Sequence, residues 1–200
     1  MPTVAYQLVP DPSPEPIFRL SVQQYHGMIR GGLLTDDDPV ELLEGVLVFK
    51  MPKNPRHRIA LAKLQRALNG LVPAGFSVQL QEPITLADGE PEPDAAVIRG
   101  QPEDYADRHP GPTDTVLVIE VADTTLSRDR GIKLRSYARA AIRAYWIVNL
   151  VDRCVEVFTQ PDSGKTGDYH ETHIYGESET MDVFIGGNPQ GVLTIAEILP

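Results

Sequence analysis

The segment Val116-Leu-Val-Ile-Glu-Val-Ala122 is almost unbroken in its apolar character. A strand with one wet face alternates polar and apolar side chains, so a continuous run marks a central strand covered on both faces. This segment commits the chain to a layered architecture, with helices packed on either side of a sheet. It also contains an anomaly, Glu120. Burying a carboxylate without a partner costs roughly several kcal/mol, so Glu120 requires a cation, a donor or a metal. An ion pair with an arginine such as Arg143 is one solution, and a ligand role is another.

The flanking sequence supplies the other layers. Ser21 is placed to cap a short helix over Val22–Ile29 that stops at Gly31-Gly32. Val40 to Lys50 reads as two short strands joined near Glu44-Gly45. After the Pro52 to Pro55 breaker, Ile59, Leu61, Leu64, Leu68 and Leu71 recur at helical spacing. Strands are predicted over Phe76–Gln81, Ile84–Leu86 and Ala95–Ile98, followed by a polar surface loop from Arg99 to Asp114. Beyond the central strand, Asp123 to Arg128 reads as a loop. From Asp129, Leu134, Tyr137, Ala138 and Ala141 line one face of a helix. Tyr145–Leu150 and Cys154–Phe158 form a hairpin through Val151-Asp152-Arg153, and Pro161 to Tyr169 is a turn-rich loop. Val183–Ile185 and Val192–Leu199 close the chain. The expected fold is α/β: a central mixed β-sheet flanked by helices, with an added N-terminal helix and hairpin.

At 200 residues the chain suits one core. Residues 1–16, rich in proline and without the apolar stretch of a secretory signal, read as a loose arm, and residues 17–200 as a single domain. Its single cysteine, Cys154, rules out a disulfide framework within the chain and reads as a core filler. No apolar run is long enough to span a bilayer, so a cytoplasmic location is expected. The net charge of −10 argues against a non-specific nucleic-acid coat, although metal-binding acids add negative charge of their own.

Asp94 opens the strand Ala95–Ile98 directly after Pro93. On its own it is a turn aspartate. With Glu120 on a second strand of the same sheet, two carboxylates can converge at one rim, and hard oxygen ligands suit Mg²⁺ or Mn²⁺. Lys133, on the helix after the Glu120 strand, is either a solvated helix-face lysine or a group that stabilises charge on a cleaved phosphate. Glu44, at the hairpin, is a turn acid or a third carboxylate. His57, at the start of the apolar helix, is a surface histidine or one set over the site. Gln81 is a minor candidate for the same cleft, and Asp129 and Arg130 read as helix-start residues.

Pro93-Asp94, Glu120 within Val-Ile-Glu-Val, Asp129-Arg-Gly-Ile-Lys133 and Tyr145-Trp-Ile-Val148 occur in this order. With Glu44-Gly45 and His57 also in pattern, the set resembles the Uma-two family of restriction endonuclease-like proteins, within the PD-(D/E)XK nuclease superfamily. The resemblance covers about residues 15 to 160. It implies a restriction endonuclease-like core and metal-dependent hydrolysis of phosphodiester bonds in nucleic acid, most naturally DNA. It also implies Asp94 and Glu120 as metal-binding acids. Where the superfamily has a lysine two residues after the glutamate, this chain has Ala122, and the resemblance moves the lysine role to Lys133. A homodimer is expected from the need to cut two strands. A fold that binds or regulates without cutting, and a carboxylate-pair hydrolase acting on sugars, are the alternative readings.

Overall fold

A computed structural model describes residues 17–35, 37–162 and 166–200. The proline-rich arm expected over residues 1–16 lies outside the described residues. The chain runs through α1 (Val22–Arg30), β1 (Val40–Leu43), β2 (Val46–Phe49), α2 (Pro55–Leu71), β3 (Phe76–Gln79), β4 (Ala95–Arg99) and β5 (Thr115–Ala122). A helical crossing follows, made of α3 (Leu126–Arg128), a π-helical turn (Asp129–Lys133) and α4 (Leu134–Arg139). Then come β6 (Ala144–Asn149), β7 (Cys154–Pro161), β8 (Tyr169–Gly176), β9 (Thr180–Ile185), β10 (Asn188–Thr194) and α5 (Ile195–Ile198).

Six strands form the main sheet in the order β3-β4-β5-β6-β7-β8. The β5–β6 pair is parallel and its neighbours pair antiparallel. Parallel neighbours cannot be joined by a tight turn, so the chain leaves β5 through the helical crossing before returning as β6. Every residue of β5 is buried, as its continuous apolar run requires. β1 and β2 form a separate hairpin, and β9 and β10 another. This is the mixed sheet with flanking helices that the sequence pattern implies.

Each sheet face carries its own core, because side chains alternate along a strand. One face packs Val97, Leu117, Ile119, Val121 and Trp146 against Ala60, Leu64 and Leu68 of α2 and against the β9–β10 hairpin. The other packs Ala96, Val118, Ala122 and Ile147 against Leu134, Tyr137 and Ala138 of α4. Glu120 has the parity of Val118 and Ala122, so it points toward α4.

Local chemistry explains the helix ends. Ser21 caps α1 in a reciprocal capping box with Gln24. Asn54 accepts the His57 N–H at the start of α2, and Pro55 occupies the first helical position, where its fixed φ and missing N–H are favourable.

Three expectations are corrected. Ile84–Leu86 is not a strand. Its Ile84 and Leu86 N–H groups bond to the Pro91 and Gly89 carbonyls across the Asp88-Gly89 turn, and its Thr85 N–H turns the other way to the Pro110 carbonyl, so it adds no strand to the main sheet. β3 ends at Gln79, before Gln81, whose φ of 55° lies outside the extended region. The helical crossing begins at Leu126 rather than Asp129. β8 has no counterpart among the expected strands: most of its residues are exposed at the sheet edge, so it lacks an apolar alternation.

Candidate active site

The cleft lies where the C-terminal end of β5, the entrance to β4, the β1–β2 hairpin, the start of α2 and the helical crossing meet. The register of β4 against β5 pairs Ala95 with Ile119. Continued by one residue, it sets Asp94 opposite Glu120 on the same sheet face. Asp94 Oδ2 accepts the Val121 N–H at 2.9 Å, which ties the carboxylate to β5 itself.

Two further side chains fix Asp94. His57 Nε2 lies 3.0 Å from Oδ2, and Gln81 Nε2 lies 3.3 Å from Oδ1. Burial works against the charge on Asp94, but the His57 bond and charge and the Val121 N–H outweigh it and hold the carboxyl below its ordinary value. With Nε2 as donor, His57 Nδ1 is left buried with no hydrogen-bond partner.

Glu120 meets Lys133 and Tyr137, not Arg143. The Lys133 Nζ and the Tyr137 hydroxyl both lie 2.8 Å from Oε1. Lys133 is carried by the π-helical turn, a geometry often found at functional sites. It is buried, so it does not point to solvent. Ala122, in the position of the superfamily lysine, is fully buried in the α4-side core, and the ammonium reaches the acid from the neighbouring helix instead.

Sequence reasoning placed Glu44 and missed Glu41. Glu44 sits at the hairpin turn with φ 47°, and its carboxylate faces Arg135 at 3.2 Å and Arg139 at 3.5 Å. It is not among the residues lining the cleft. Glu41, one strand residue after Val40, is: its Oε2 lies 3.4 Å from Lys133 Nζ and accepts the Glu92 N–H at 3.1 Å. An acid inside the short apolar strand Val40-Glu-Leu-Leu43 is the same signal that singled out Glu120. Asn54 was also missed. While capping α2 it donates to Asp123 Oδ2 at 2.6 Å, so the helix start that carries His57 is tied to the end of β5.

The electrostatics of the cleft favour an added cation. Burial pushes Glu120 up to about 8 against the pull of Lys133, with Asp129, Asp94 and Glu41 adding to the rise. Burial likewise pushes Asp129 up to about 6. Burial opposes the Lys133 charge, but Glu120, Glu41 and Asp129 outweigh it and hold its pKa above the ordinary lysine value. Four buried or nearly buried acids thus share one buried ammonium. Among the described residues no three His, Cys, Asp or Glu side chains gather as a metal cage. Two carboxylates on facing strands, with both bonds to Glu120 falling on one oxygen, fit a hard dication that keeps most of its ligands as water, rather than zinc.

This sheet-and-helix frame carries the acid pair at one rim. It is shared with the crystal structure of "a putative nuclease belonging to DUF820" from Anabaena variabilis, at a TM-score of 0.64 and 15% identity over 84% of this chain and 94% of that one. The chain belongs to the Uma2 family, described as "Putative restriction endonuclease", whose model matches residues 22–187. Comparison with curated proteins gives no match. The family description supports a nuclease. No helix among the described residues is long and apolar enough to cross a membrane.

Proposed function

We propose that this chain is a divalent-metal-dependent endonuclease hydrolysing phosphodiester bonds in nucleic acid, with DNA as the substrate and Mg²⁺ or Mn²⁺ as the cofactor. The observation that carries this reading is the convergence of Asp94 and Glu120 at one end of adjacent strands, with the Lys133 ammonium 2.8 Å from Glu120.

Asp94 and Glu120 would hold the metal, which when bound supplies Lewis-acid polarisation of the phosphate and a water of lowered pKa. Lys133 stabilises the negative charge that grows on the phosphate in a low-dielectric setting. His57 and Gln81 keep the Asp94 carboxylate aimed into the cleft. Lys50, Lys53 and Arg128 line the same cleft beside its acids, with Lys50 paired to Glu92 at 2.6 Å, and a bound dication would offset the excess of acid charge that a polyanion meets there. The same reading includes a cytoplasmic setting and a pair of chains, one active site for each strand of a duplex.

Purified protein incubated with plasmid DNA and Mg²⁺ or Mn²⁺ tests it, beside Asp94→Asn and Glu120→Gln. The wild type cuts, EDTA stops it, and each variant loses activity by on the order of 10²-fold or more, the size typical of a lost electrostatic group. Equal cutting by wild type and both variants identifies a contaminant and overturns the reading.

A further inference from the structure

We infer that Glu41 is a positioning residue that holds the Lys133 ammonium at the cleft when Glu120 engages a cation; this rests on the nuclease reading above. Lys133 is flanked by two carboxylates on different parts of the fold. Glu120 reaches it from the central strand at 2.8 Å and Glu41 from the β1–β2 hairpin at 3.4 Å. A dication held by Glu120 competes directly with Lys133 for that carboxylate. A buried ammonium deprived of its nearest counter-charge needs a second anion within reach to keep its place in the fold, and with it its place at the phosphate.

Glu41 is built to be that anion. It is 2% exposed, and its position does not depend on Lys133. Its Oε2 accepts the Glu92 backbone N–H at 3.1 Å, and its Oε1 lies 3.8 Å from Arg128 Nη1. The strand that carries it is pinned from outside the main sheet: the Glu90 N–H bonds to the Leu42 carbonyl and the Gly45 N–H to the Asp88 carbonyl, each at 2.7 Å. Glu41 therefore keeps its place when the charges on the sheet rearrange. It offers Lys133 a second seat within the cleft.

The test is a double-mutant cycle with the full chain, read in cleavage kinetics and in urea unfolding without metal. In urea, Glu41→Gln is expected to shift the midpoint of the wild type more than that of Lys133→Met. Glu41→Gln keeps an acceptor for the Glu92 N–H and removes only the charge. Its kcat is expected to fall on the order of 10- to 100-fold, while KM for DNA and the Mg²⁺ concentration for half-maximal rate stay unchanged. Lys133→Met alone loses more, and Glu41→Gln combined with Lys133→Met is no slower than Lys133→Met. Glu41→Asp, which retains the charge, recovers part of the lost kcat, and it carries the same cycle should Glu41→Gln fail to fold. Losses that multiply in the double variant overturn the inference, because Glu41 then acts independently of Lys133. A raised Mg²⁺ requirement in Glu41→Gln also overturns it, by making Glu41 a ligand. A folded wild type that cuts no substrate with any metal overturns the nuclease reading and the inference together, an outcome distinct from the other two.

Discussion

The Lys133 ammonium lies 2.8 Å from Glu120 Oε1, although the two residues belong to different elements of a β5–helix–β6 crossover. Both are buried, so the pair is shielded from solvent and salt. Removing one partner of a buried ion pair strands the other charge, which costs about 3–5 kcal/mol. Lys133→Met is therefore expected to lower the unfolding free energy by about that amount in urea titrations. The combined variant Lys133→Met with Glu120→Gln removes the stranded carboxylate as well and should recover a good part of the loss. A double variant less stable than Lys133→Met alone would show that the pair does not act as a unit.

The same burial sets the pH dependence of stability. Glu120 is pushed from 4.5 up to about 8 and Asp129 from 3.8 up to about 6. Between the ordinary and the raised values the folded chain keeps protons that the unfolded chain has released. Stability therefore falls as pH rises from about 4.5 to about 8 and falls again only above the ordinary lysine value, where the folded chain keeps the Lys133 proton that the unfolded chain releases. Asp94 is shifted downward, so its contribution is present above its ordinary value and is lost only in more acid solution. Without added metal, the melting temperature should decline steadily across the neutral range, and Glu120→Gln should remove most of the slope. Mg²⁺ should raise the melting temperature more at the alkaline end, where both acids are free to bind it. A melting temperature that rises with pH across this window refutes the assignment.

The central strand and the acid within it were readable because a buried strand has a strong composition signal and a charge inside it stands out. Lys133 was readable only through the order of motifs: nothing in Asp129-Arg-Gly-Ile-Lys133 states that a π-helical turn aims the side chain at Glu120. Glu44 and Glu41 show the opposite failure. They lie three positions apart on one hairpin, and which of them enters the cleft depends on how the hairpin docks against Glu90 and Asp88, a long-range contact with no local signature. β8 was missed because an edge strand exposes most of its side chains and need not alternate. Ile84–Leu86 misled for the complementary reason, since Ile84 and Leu86 are buried while the backbone bonds go to the turn at Gly89–Pro91 and to Pro110 rather than to a strand of the main sheet.

Asn54 has two jobs that a substitution can separate. As the cap of α2 it accepts the His57 N–H, and its amide donates to Asp123 Oδ2 at 2.6 Å. Loss of such a cap costs about 1 kcal/mol, which is the expected effect of Asn54→Ala. Aspartate caps helices as well as asparagine does, so Asn54→Asp would be neutral at an isolated helix start. Here it sets two carboxylates against each other and should be at least as destabilising as Asn54→Ala. Thermal melts of the two variants decide the matter. A fully stable Asn54→Asp would mean that the Asp123 contact does not tie α2 to β5.

The hairpin offers a matched pair of variants that distinguishes its turn acid from its geometry. Glu44 pairs with the half-exposed Arg135 and Arg139 outside the cleft. Pairs of this kind contribute about 0–1 kcal/mol, so Glu44→Gln should leave cleavage rates within about twofold of wild type. Gly45, next to it, has φ +77°, and a Cβ there would stand 2.6 Å from the Arg19 Cβ and 3.0 Å from the Leu20 carbonyl oxygen. The Leu20 N–H also bonds to the Gly45 carbonyl at 2.8 Å, so the turn cannot move away freely. Gly45→Ala is therefore expected to cost about 1–3 kcal/mol through backbone strain and the steric clash. It should also slow cleavage, because the displaced hairpin carries Glu41 away from Lys133. Cleavage rates and melting temperatures of both variants, measured side by side, test the two halves. A slow Glu44→Gln beside a normal Gly45→Ala would place the functional acid of the hairpin at its turn rather than on β1.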